Sequence, residues 1–168
     1  MFAMSARTAH SWPKLRVACL SVAERLSVEP GEGLMSQEAV ALIKGMYDAF
    51  STGDVAGVLG RMSQSIVWND AENFPYADGN PYVGPEAVAN GVFARCIGEW
   101  NGFAVAIDEI LDAGDAVIAL GRYLGSYKAT GKSMRTQLVH VWRVVDGKAV
   151  RFQQYADTLQ VARVTGLA

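Results

Sequence analysis

Asp70, His140 and Gln154 are the residues of this 168-residue chain whose types and positions could do acid–base chemistry. Each lies in a segment where polar and apolar residues alternate, which is typical of a β-strand with one buried face. A carboxylate can accept a proton, an imidazole can donate one, and a primary amide can orient an oxygen-bearing ligand. Gathered in one apolar cavity, the three side chains could bind a carbonyl compound or an enol.

Asp70 follows Ile66 and Trp68 on one side of the predicted strand Ser65–Asp70. If this side faces an apolar pocket, the loss of water raises the pKa of Asp70 from about 3.9 towards the range of a general base. The alternative is an exposed Asp70 that caps the following loop at the edge of the sheet.

His140 lies between Leu138 and Trp142 on one face of the predicted strand Ser133–Val145. A single histidine on an apolar face is more often a hydrogen-bonded core residue than a catalyst. Its central strand and a second polar side chain nearby favour the catalytic interpretation.

Gln154 is that second polar side chain, and it shares a face of the last predicted strand with Phe152 and Ala156. A buried amide without hydrogen-bond partners costs about 1–3 kcal/mol, so it needs a protein partner or a ligand. Aromatic side chains are candidates for the wall of the pocket, with plain core packing as the alternative for each. These wall candidates are Trp68, Phe93, Trp142 and Phe152.

The opposite face of the last strand carries polar and amphipathic side chains, which predicts an outer sheet surface. This face consists of Arg151, Gln153, Tyr155 and Asp157.

Three helices are predicted before the main strands. The first carries Tyr47 in an apolar stripe of three- and four-residue spacing and begins at Ser36 as its N-cap. The second is capped by Asp54 and runs to Met62. The third opens at Pro85, since proline is tolerated in the first turn of a helix. Its predicted buried stripe is Val88, Val92, Phe93, Cys96, Ile97 and Trp100.

The strands after the third helix are separated by turn sequences that contain glycine and aspartate. An Asp-Gly pair between two apolar runs is a strong hairpin signal. Three helices followed by hairpin-linked strands predict an α+β fold with an antiparallel sheet. The predicted strands are Phe103–Leu111, Ala116–Tyr127, Ser133–Val145 and Ala149–Asp157.

The composition is that of a globular domain, with 51% hydrophobic and 19% charged residues. A net charge of −2 argues against nucleic-acid binding, and no apolar run is long enough to span a membrane. Because the two histidines and two cysteines form no cluster with metal-ligand spacing, no metal is expected. Cys19 and Cys96 are predicted to be free thiols in a reducing cytosol, which makes the protein cytoplasmic.

Residues 1–34 differ from the rest of the chain because they show little sustained pattern. We predict that they form a loose or peripheral extension before a domain of residues 35–160 and a C-terminal tail of residues 161–168. Met35 is a candidate for the true start, in which case removal of residues 1–34 leaves the melting temperature almost unchanged.

The ordered set of motifs over residues 36–158 resembles the nuclear-transport-factor-2-like superfamily, and within it the SnoaL-like and ketosteroid-isomerase-like proteins. The resemblance implies a cone-shaped, curved sheet wrapped by the N-terminal helices around an apolar pocket, without a cofactor. It also implies a homodimer through the outer sheet face, with a solvated face as the alternative. The motifs that carry the resemblance are Tyr47 to Asp54, Trp68 with Asp70, Gly84 to Val88, Asp112 to Asp115, His140 to Val144 and Phe152 to Thr158.

The resemblance also suggests roles for individual residues. Asp70 falls where ketosteroid isomerases keep the carboxylate that moves a proton between two carbons. His140 falls where they hold an acid that donates to the developing oxyanion. Their catalytic tyrosine corresponds to Met46, with Tyr47 beside it as a ligand-binding candidate, and the basic aspartate of SnoaL-type cyclases corresponds to Gln154.

Two kinds of function follow as hypotheses. The first is a cofactor-independent enzyme of isomerase or cyclase type, in which Asp70 takes a proton from a small carbonyl compound, His140 donates to its oxygen and Gln154 orients it. The second is a non-catalytic module that binds a small apolar ligand or dimerises. A hydrolytic variant of the first hypothesis, ranked below proton transfer, has Asp70 activate water as in epoxide hydrolases of this fold.

Overall fold

The computed structural model describes residues 32–168 of the chain, with side chains from Ser36 onward. The helices are α1 (Glu32–Ser51), α2 (Val55–Leu59), α3 (Pro85–Val88), α4 (Ala94–Glu99) and α5 (Thr158–Thr165), with a π-helical segment, Ala89–Phe93, between α3 and α4. The strands are β1 (Met62–Asn69), β2 (Tyr82–Val83), β3 (Trp100–Asp112), β4 (Val117–Tyr127), β5 (Ser133–Val145) and β6 (Lys148–Ala156). The predicted α+β class is confirmed.

The six strands form one curved, unclosed sheet in the order β2-β1-β6-β5-β4-β3. Strands β3 to β6 are joined in sequence as antiparallel neighbours, as the turn sequences predict. In this register His140 on β5 lies opposite Ala119 on β4 and Gln154 on β6. Two polar candidates from different strands therefore lie side by side on the inner face of the sheet.

One strand pair differs from the predicted antiparallel sheet, because β1 runs parallel to β6. Hairpins set the relative directions of β3 to β6, but no hairpin joins β1 to any of them. The chain leaves β1 through a loop and the α3–α4 helices, so β1 can reach the edge of β6 in either direction. The sheet is therefore mixed.

Bulges and a close backbone contact bend the sheet around its inner face. The pairing of β3 with β4 shifts register twice, after Asn101 and after Ile107. Opposite the second shift lies Gly121, where a Cβ atom would collide with the carbonyl oxygen of Ala106. Glycine thus allows the two backbones to approach at the bend.

The first helix begins at Glu32, so the prediction that Ser36 is its N-cap is wrong. Glutamate, leucine and methionine favour helix, and Gly33 costs only about 1 kcal/mol, so the turn before Ser36 is helical as well. The predicted extension of residues 1–34 lies outside the described residues, apart from residues 32–34, which belong to α1.

The third predicted helix is interrupted by the π-helical segment, and this changes which residues face the core. A π turn contains an extra residue, so the helix face rotates after it. Val92, Phe93 and Cys96 remain buried, whereas Ile97 is 62% exposed. The prediction that Ile97 belongs to the buried stripe is therefore wrong.

The end of the chain is helical where a tail was expected. Asp157, predicted as the last strand residue, is the N-cap of α5 and accepts a hydrogen bond from the Gln160 amide at 3.1 Å. Val161 and Val164 are buried, so α5 closes part of the core. Among the described residues, no helix has the length and apolar character needed to cross a membrane.

Candidate functional site

A cavity lies between α1, the π-helical segment with α4, and the inner face of the sheet. It has an empty volume of about 550 Å³, a figure that includes its opening to solvent. Its wall is largely aromatic and aliphatic. The polar side chains on the wall are Tyr47, Asp70, Tyr123, His140 and Gln154.

Asp70 follows the last residue of β1 and is 2% exposed, which excludes an exposed loop cap. Its backbone is held by Asn80, which accepts from the Asp70 amide at 3.0 Å and donates to the Asp70 carbonyl at 2.8 Å. The indole of Trp68 donates to Oδ1 of Asp70 at 3.1 Å. The carboxyl group therefore has one oxygen engaged with the protein and a fixed backbone position.

The second oxygen of Asp70, Oδ2, is buried and has no hydrogen-bond partner among the described residues. Burial raises the pKa of Asp70 from 3.8 to about 7, and the Trp68 hydrogen bond opposes part of that shift. A carboxyl group with such a pKa exchanges protons readily near neutral pH. Asp70 thus has one oxygen without a hydrogen-bond partner, which can accept a proton, and a pKa suited to a general base.

His140 lies in the middle of β5 and is 4% exposed. Its Nδ1 lies 2.8 Å from the hydroxyl of Tyr47, and its Nε2 lies 2.6 Å from the hydroxyl of Tyr123. Burial lowers the pKa of His140 from 6.5 to about 3, so the imidazole is neutral at physiological pH. Direct donation from His140 to a ligand, as predicted, would have to displace one of these tyrosines.

Each tyrosine hydroxyl is also a hydrogen-bond acceptor. The Trp142 indole donates to Tyr47 at 2.8 Å, and the Gln154 amide donates to Tyr123 at 2.6 Å. Burial raises the pKa of both tyrosines above the ordinary value of 10, so both hydroxyls are protonated at neutral pH. We call Tyr47, His140 and Tyr123 the hydroxyl–imidazole triad.

Tyr123 is the site residue that the sequence reasoning missed. The signal was present in the two-residue period of β4, in which Val117, Ala119, Gly121 and Tyr123 are buried on the inner face. A tyrosine on such a face needs a partner for its hydroxyl group. The partner, His140, lies on the next strand, so the contact depends on the register of β4 with β5.

Gln154 faces the cavity, and the protein holds both ends of its amide. Its Oε1 accepts from the backbone amide of Ala71 at 3.0 Å, and its Nε2 donates to the hydroxyl of Tyr123. The buried amide of Gln154 therefore has hydrogen-bond partners within the protein and does not need a ligand to supply them. Gln154 positions Tyr123.

The aromatic wall agrees with the sequence prediction at three positions and differs at one. Trp68, Phe93 and Trp142 line the cavity. Phe152 does not line it, because it is fully buried behind the wall and stacks on Trp68 with ring centroids 3.7 Å apart. Phe152 therefore packs in the core behind the cavity wall, and its contact with a ligand stays a prediction.

Cys96 also lines the cavity, as a buried free thiol. Burial raises the pKa of this thiol, with the negative charge of Asp70 as a smaller cause, so Cys96 contributes an uncharged wall. Within residues 32–168, no group of three or more histidine, cysteine or acidic side chains could hold a metal ion. Cys19 lies outside the described residues.

The cavity thus places two complementary polar groups in an apolar enclosure. Asp70 can take a proton, and the hydroxyl–imidazole triad can supply a hydroxyl donor to a nearby oxygen atom. Apolar surroundings strengthen such interactions because water does not compete for them. The pair is chemically suited to removing a proton beside a carbonyl group.

Comparisons with known proteins agree with this architecture. The family model of the SnoaL-like domain matches residues 43–152. The chain is similar to the crystal structure of an NTF2-like protein from Burkholderia thailandensis E264, with 37% identity, a TM-score of 0.72, and coverage of 75% of this chain and 95% of that one.

More distant structures share the fold. One is a putative SnoaL-like polyketide cyclase from Jannaschia sp. CCS1, with 15% identity, a TM-score of 0.65, and coverage of 77% of this chain and 92% of that one. Another is an LEH-like epoxide hydrolase from M. tuberculosis, with 18% identity, a TM-score of 0.61, and coverage of 78% and 91%. Among curated proteins, none matches the chain.

Proposed function

Since the chain belongs to the SnoaL-like domain family, we propose that its cavity binds a small, largely apolar carbonyl compound and moves a proton on it by acid–base catalysis. Proteins that share one fold can differ in activity, so the residues of the cavity must decide the chemistry. The observation that carries the proposal is the unpartnered Oδ2 of Asp70, buried in an apolar cavity with a pKa of about 7.

In the proposed reaction, Oδ2 of Asp70 takes a proton from the carbon next to the carbonyl group. The electron pair of the broken C–H bond forms a C=C bond, and the negative charge moves to the carbonyl oxygen. A hydroxyl of the triad donates a hydrogen bond to this oxygen, which stabilises the enolate in the low-dielectric cavity. Protonated Asp70 then returns the proton to the same carbon or, where a second C=C bond extends the enolate, to the carbon at its far end. The electron pair of the enolate forms the new C–H bond, the carbonyl group is restored, and no other reactant is needed.

The composition of the cavity wall favours an uncharged substrate. Lysine and arginine are absent from the residues that line it within the described part of the chain. A carboxylate or phosphate ligand would lose its hydration there without gaining a countercharge. The proposed substrate is therefore a neutral ketone or enone, which the aromatic wall can cover.

Replacement of Asp70 by asparagine tests the proposal. The wild-type protein should catalyse deuterium exchange beside the carbonyl of cyclic ketones and enones in D₂O, as followed by NMR. Asp70→Asn should slow the exchange at least about a hundred-fold, because an amide cannot accept the proton. In the wild type, the exchange rate should rise with pH and level off above the pKa of Asp70, about 7.

Asp48→Asn is the matched control, since Asp48 is an exposed carboxylate on α1. This variant should exchange deuterium at the wild-type rate. Equal rates for Asp70→Asn and the wild type would contradict the proposal. Ketone binding without exchange in the wild type would favour a non-catalytic binding module, and opening of styrene oxide without exchange would favour water activation by Asp70.

A further inference from the structure

The hydroxyl–imidazole triad contains more protons than it needs for its own hydrogen bonds. Tyr47 and Tyr123 each carry one hydroxyl proton, and neutral His140 carries one N–H proton. The triad has two internal contacts, one at each ring nitrogen, and each contact uses one proton. One proton of the three is therefore left over.

The position of the surplus proton follows from the groups on either side of the triad. The Trp142 indole is only a donor, so it can make its contact with Tyr47 only by donating. The orientation of Gln154 is set by the Ala71 amide, which donates to Oε1 and thereby turns Nε2 towards Tyr123. Both tyrosine oxygens therefore accept from outside the triad, and neither outer contact uses a tyrosine proton.

The tautomer of His140 then selects the tyrosine with the free proton. If Nε2 carries the proton, His140 donates to Tyr123, Tyr47 donates to Nδ1, and the hydroxyl proton of Tyr123 is free. If Nδ1 carries the proton, the roles reverse and the hydroxyl proton of Tyr47 is free. Both tyrosines are among the residues that line the cavity, so the surplus proton lies on a cavity-lining residue in either state.

We propose that neutral His140 is a positioning residue which, through its tautomer, presents one hydroxyl proton from either Tyr47 or Tyr123 to the oxygen of an enolate or phenolate that forms in the cavity when Asp70 takes the proton of the neutral ligand. This deepens the proposed function, on which it rests for the location of the ligand. Either tyrosine can serve as the donor, because both tautomers of His140 fit the same heavy-atom positions. In the change of tautomer, Tyr47 gives its proton to Nδ1, Nε2 gives its proton to Tyr123, and exchange with water carries the surplus proton from Tyr123 to Tyr47.

Two single variants and one double variant test this proposal. Tyr47→Phe and Tyr123→Phe each remove one possible donor, and the double variant removes both. Tyr155→Phe is the matched control, because Tyr155 is 57% exposed on the outer face of the sheet. The probe is 4-nitrophenol, whose bound phenolate can be followed by its visible absorbance.

Each single variant should bind 4-nitrophenol within about five-fold of the wild-type Kd, since the other tyrosine takes over. The double variant should bind it roughly ten- to a hundred-fold more weakly, the usual effect of losing one hydrogen bond to a charged group. Tyr155→Phe should match the wild type. If the double variant does not fold, the tautomer measurement on the single variants decides.

The tautomer is read from the ¹⁵N NMR shifts of the imidazole with 4-nitrophenol bound. His10 and His140 are the two histidines of the chain, so a His140→Gln sample assigns the signals. Tyr47→Phe should place the proton on Nε2, and Tyr123→Phe should place it on Nδ1. A merely structural histidine would keep one tautomer in both variants.

Three results would overturn the proposal: a single variant that loses binding as fully as the double variant, the same tautomer in both single variants, or no binding of 4-nitrophenol by the wild type. Asp70→Asn separates this proposal from the proposed function. That variant should abolish deuterium exchange while leaving the tautomer response of the tyrosine variants intact. If the wild type did not exchange deuterium but the tyrosine variants still changed the tautomer of His140, only the proposed catalysis would be rejected.

Discussion

Asp70 and His140 lie in the same cavity, and burial shifts their pKa values in opposite directions. Burial disfavours the charged form of each group. The carboxyl group of Asp70 therefore keeps its proton to a higher pH, about 7, and the imidazole of His140 stays neutral down to about pH 3. At neutral pH the cavity thus holds a titrating acid next to an uncharged hydrogen-bonding triad.

These opposite shifts act on stability with opposite signs between about pH 4 and 6.5. In the folded state Asp70 keeps a proton that it has released in the unfolded chain. The contribution of Asp70 to the free energy of unfolding therefore falls as the pH rises, by about 1.4 kcal/mol per pH unit. In the folded state His140 lacks a proton that it holds in the unfolded chain. The contribution of His140 to the free energy of unfolding therefore rises with pH by a similar amount per pH unit. The two effects nearly cancel in the wild type.

Single substitutions should expose each effect. Between pH 4.5 and 6.5, the free energy of unfolding of Asp70→Asn should rise relative to the wild type, because only the His140 effect is left. That of His140→Gln should fall by a similar amount, about 3 kcal/mol over the two pH units. Urea denaturation at three pH values measures both, and differences from the wild type remove the contributions of all other groups. If the free energy of unfolding changed with pH in the same way in all three proteins, this would contradict the opposite pKa shifts of Asp70 and His140.

At the scale of elements, α5 is a structural part of the domain. It packs on β5, its N-cap is Asp157, and Gly166 ends it in the left-handed conformation with φ +83°. Left-handed glycine is a common helix stop. The helix is short, so its stability comes from its buried valines and not from its intrinsic propensity.

Two substitutions within α5 should have different effects. Val161→Ala should lower the free energy of unfolding by about 2 kcal/mol, since Val161 is fully buried and its loss leaves a cavity. Leu159→Ala is the control, because Leu159 is 53% exposed, and it should change stability by less than about 0.5 kcal/mol. Thermal or chemical denaturation measures both. Equal, small effects would mean that α5 does not contribute to the core.

At the scale of the whole molecule, we propose that the outer sheet face joins two copies of the chain. A shallow groove crosses this face, and its wall includes Leu120, Val139 and Tyr155 together with charged residues of both signs. Arg122 and Asp157 both line the groove. In a two-fold dimer the same patch meets itself, so Arg122 of one copy could face acidic groups of the other.

Tyr155→Asp tests this dimer. It introduces a charge into the apolar part of the groove, so light scattering after size exclusion should give the mass of a dimer for the wild type and that of a monomer for the variant. Leu167→Asp is the control, since Leu167 is 69% exposed near the C-terminus and is not among the residues that line the groove. It should remain dimeric. A monomeric wild type would reject the dimer.

Side-chain direction along a strand is a local property, and this is why much of the site could be predicted from the sequence. Successive residues of a strand point to opposite faces, so the apolar partners of Asp70, His140 and Gln154 predict that all three point inward. The structure buries all three. The turn sequences similarly predict the order of β3 to β6, because a short turn can join only antiparallel neighbours.

Contacts between residues far apart in the chain were decided only by the tertiary structure. The hydrogen bond between Tyr47 and His140 joins residues that are 93 positions apart in the sequence, and it depends on how α1 packs on the sheet. The direction of β1 beside β6, the burial of Phe152 behind the wall and the rotation of Ile97 to solvent depend in the same way on packing. The sequence by itself therefore determined which residues of the strands that carry the site face the inside. Packing decided which of them touch, because contact and depth of burial depend on distances between elements that no local pattern encodes.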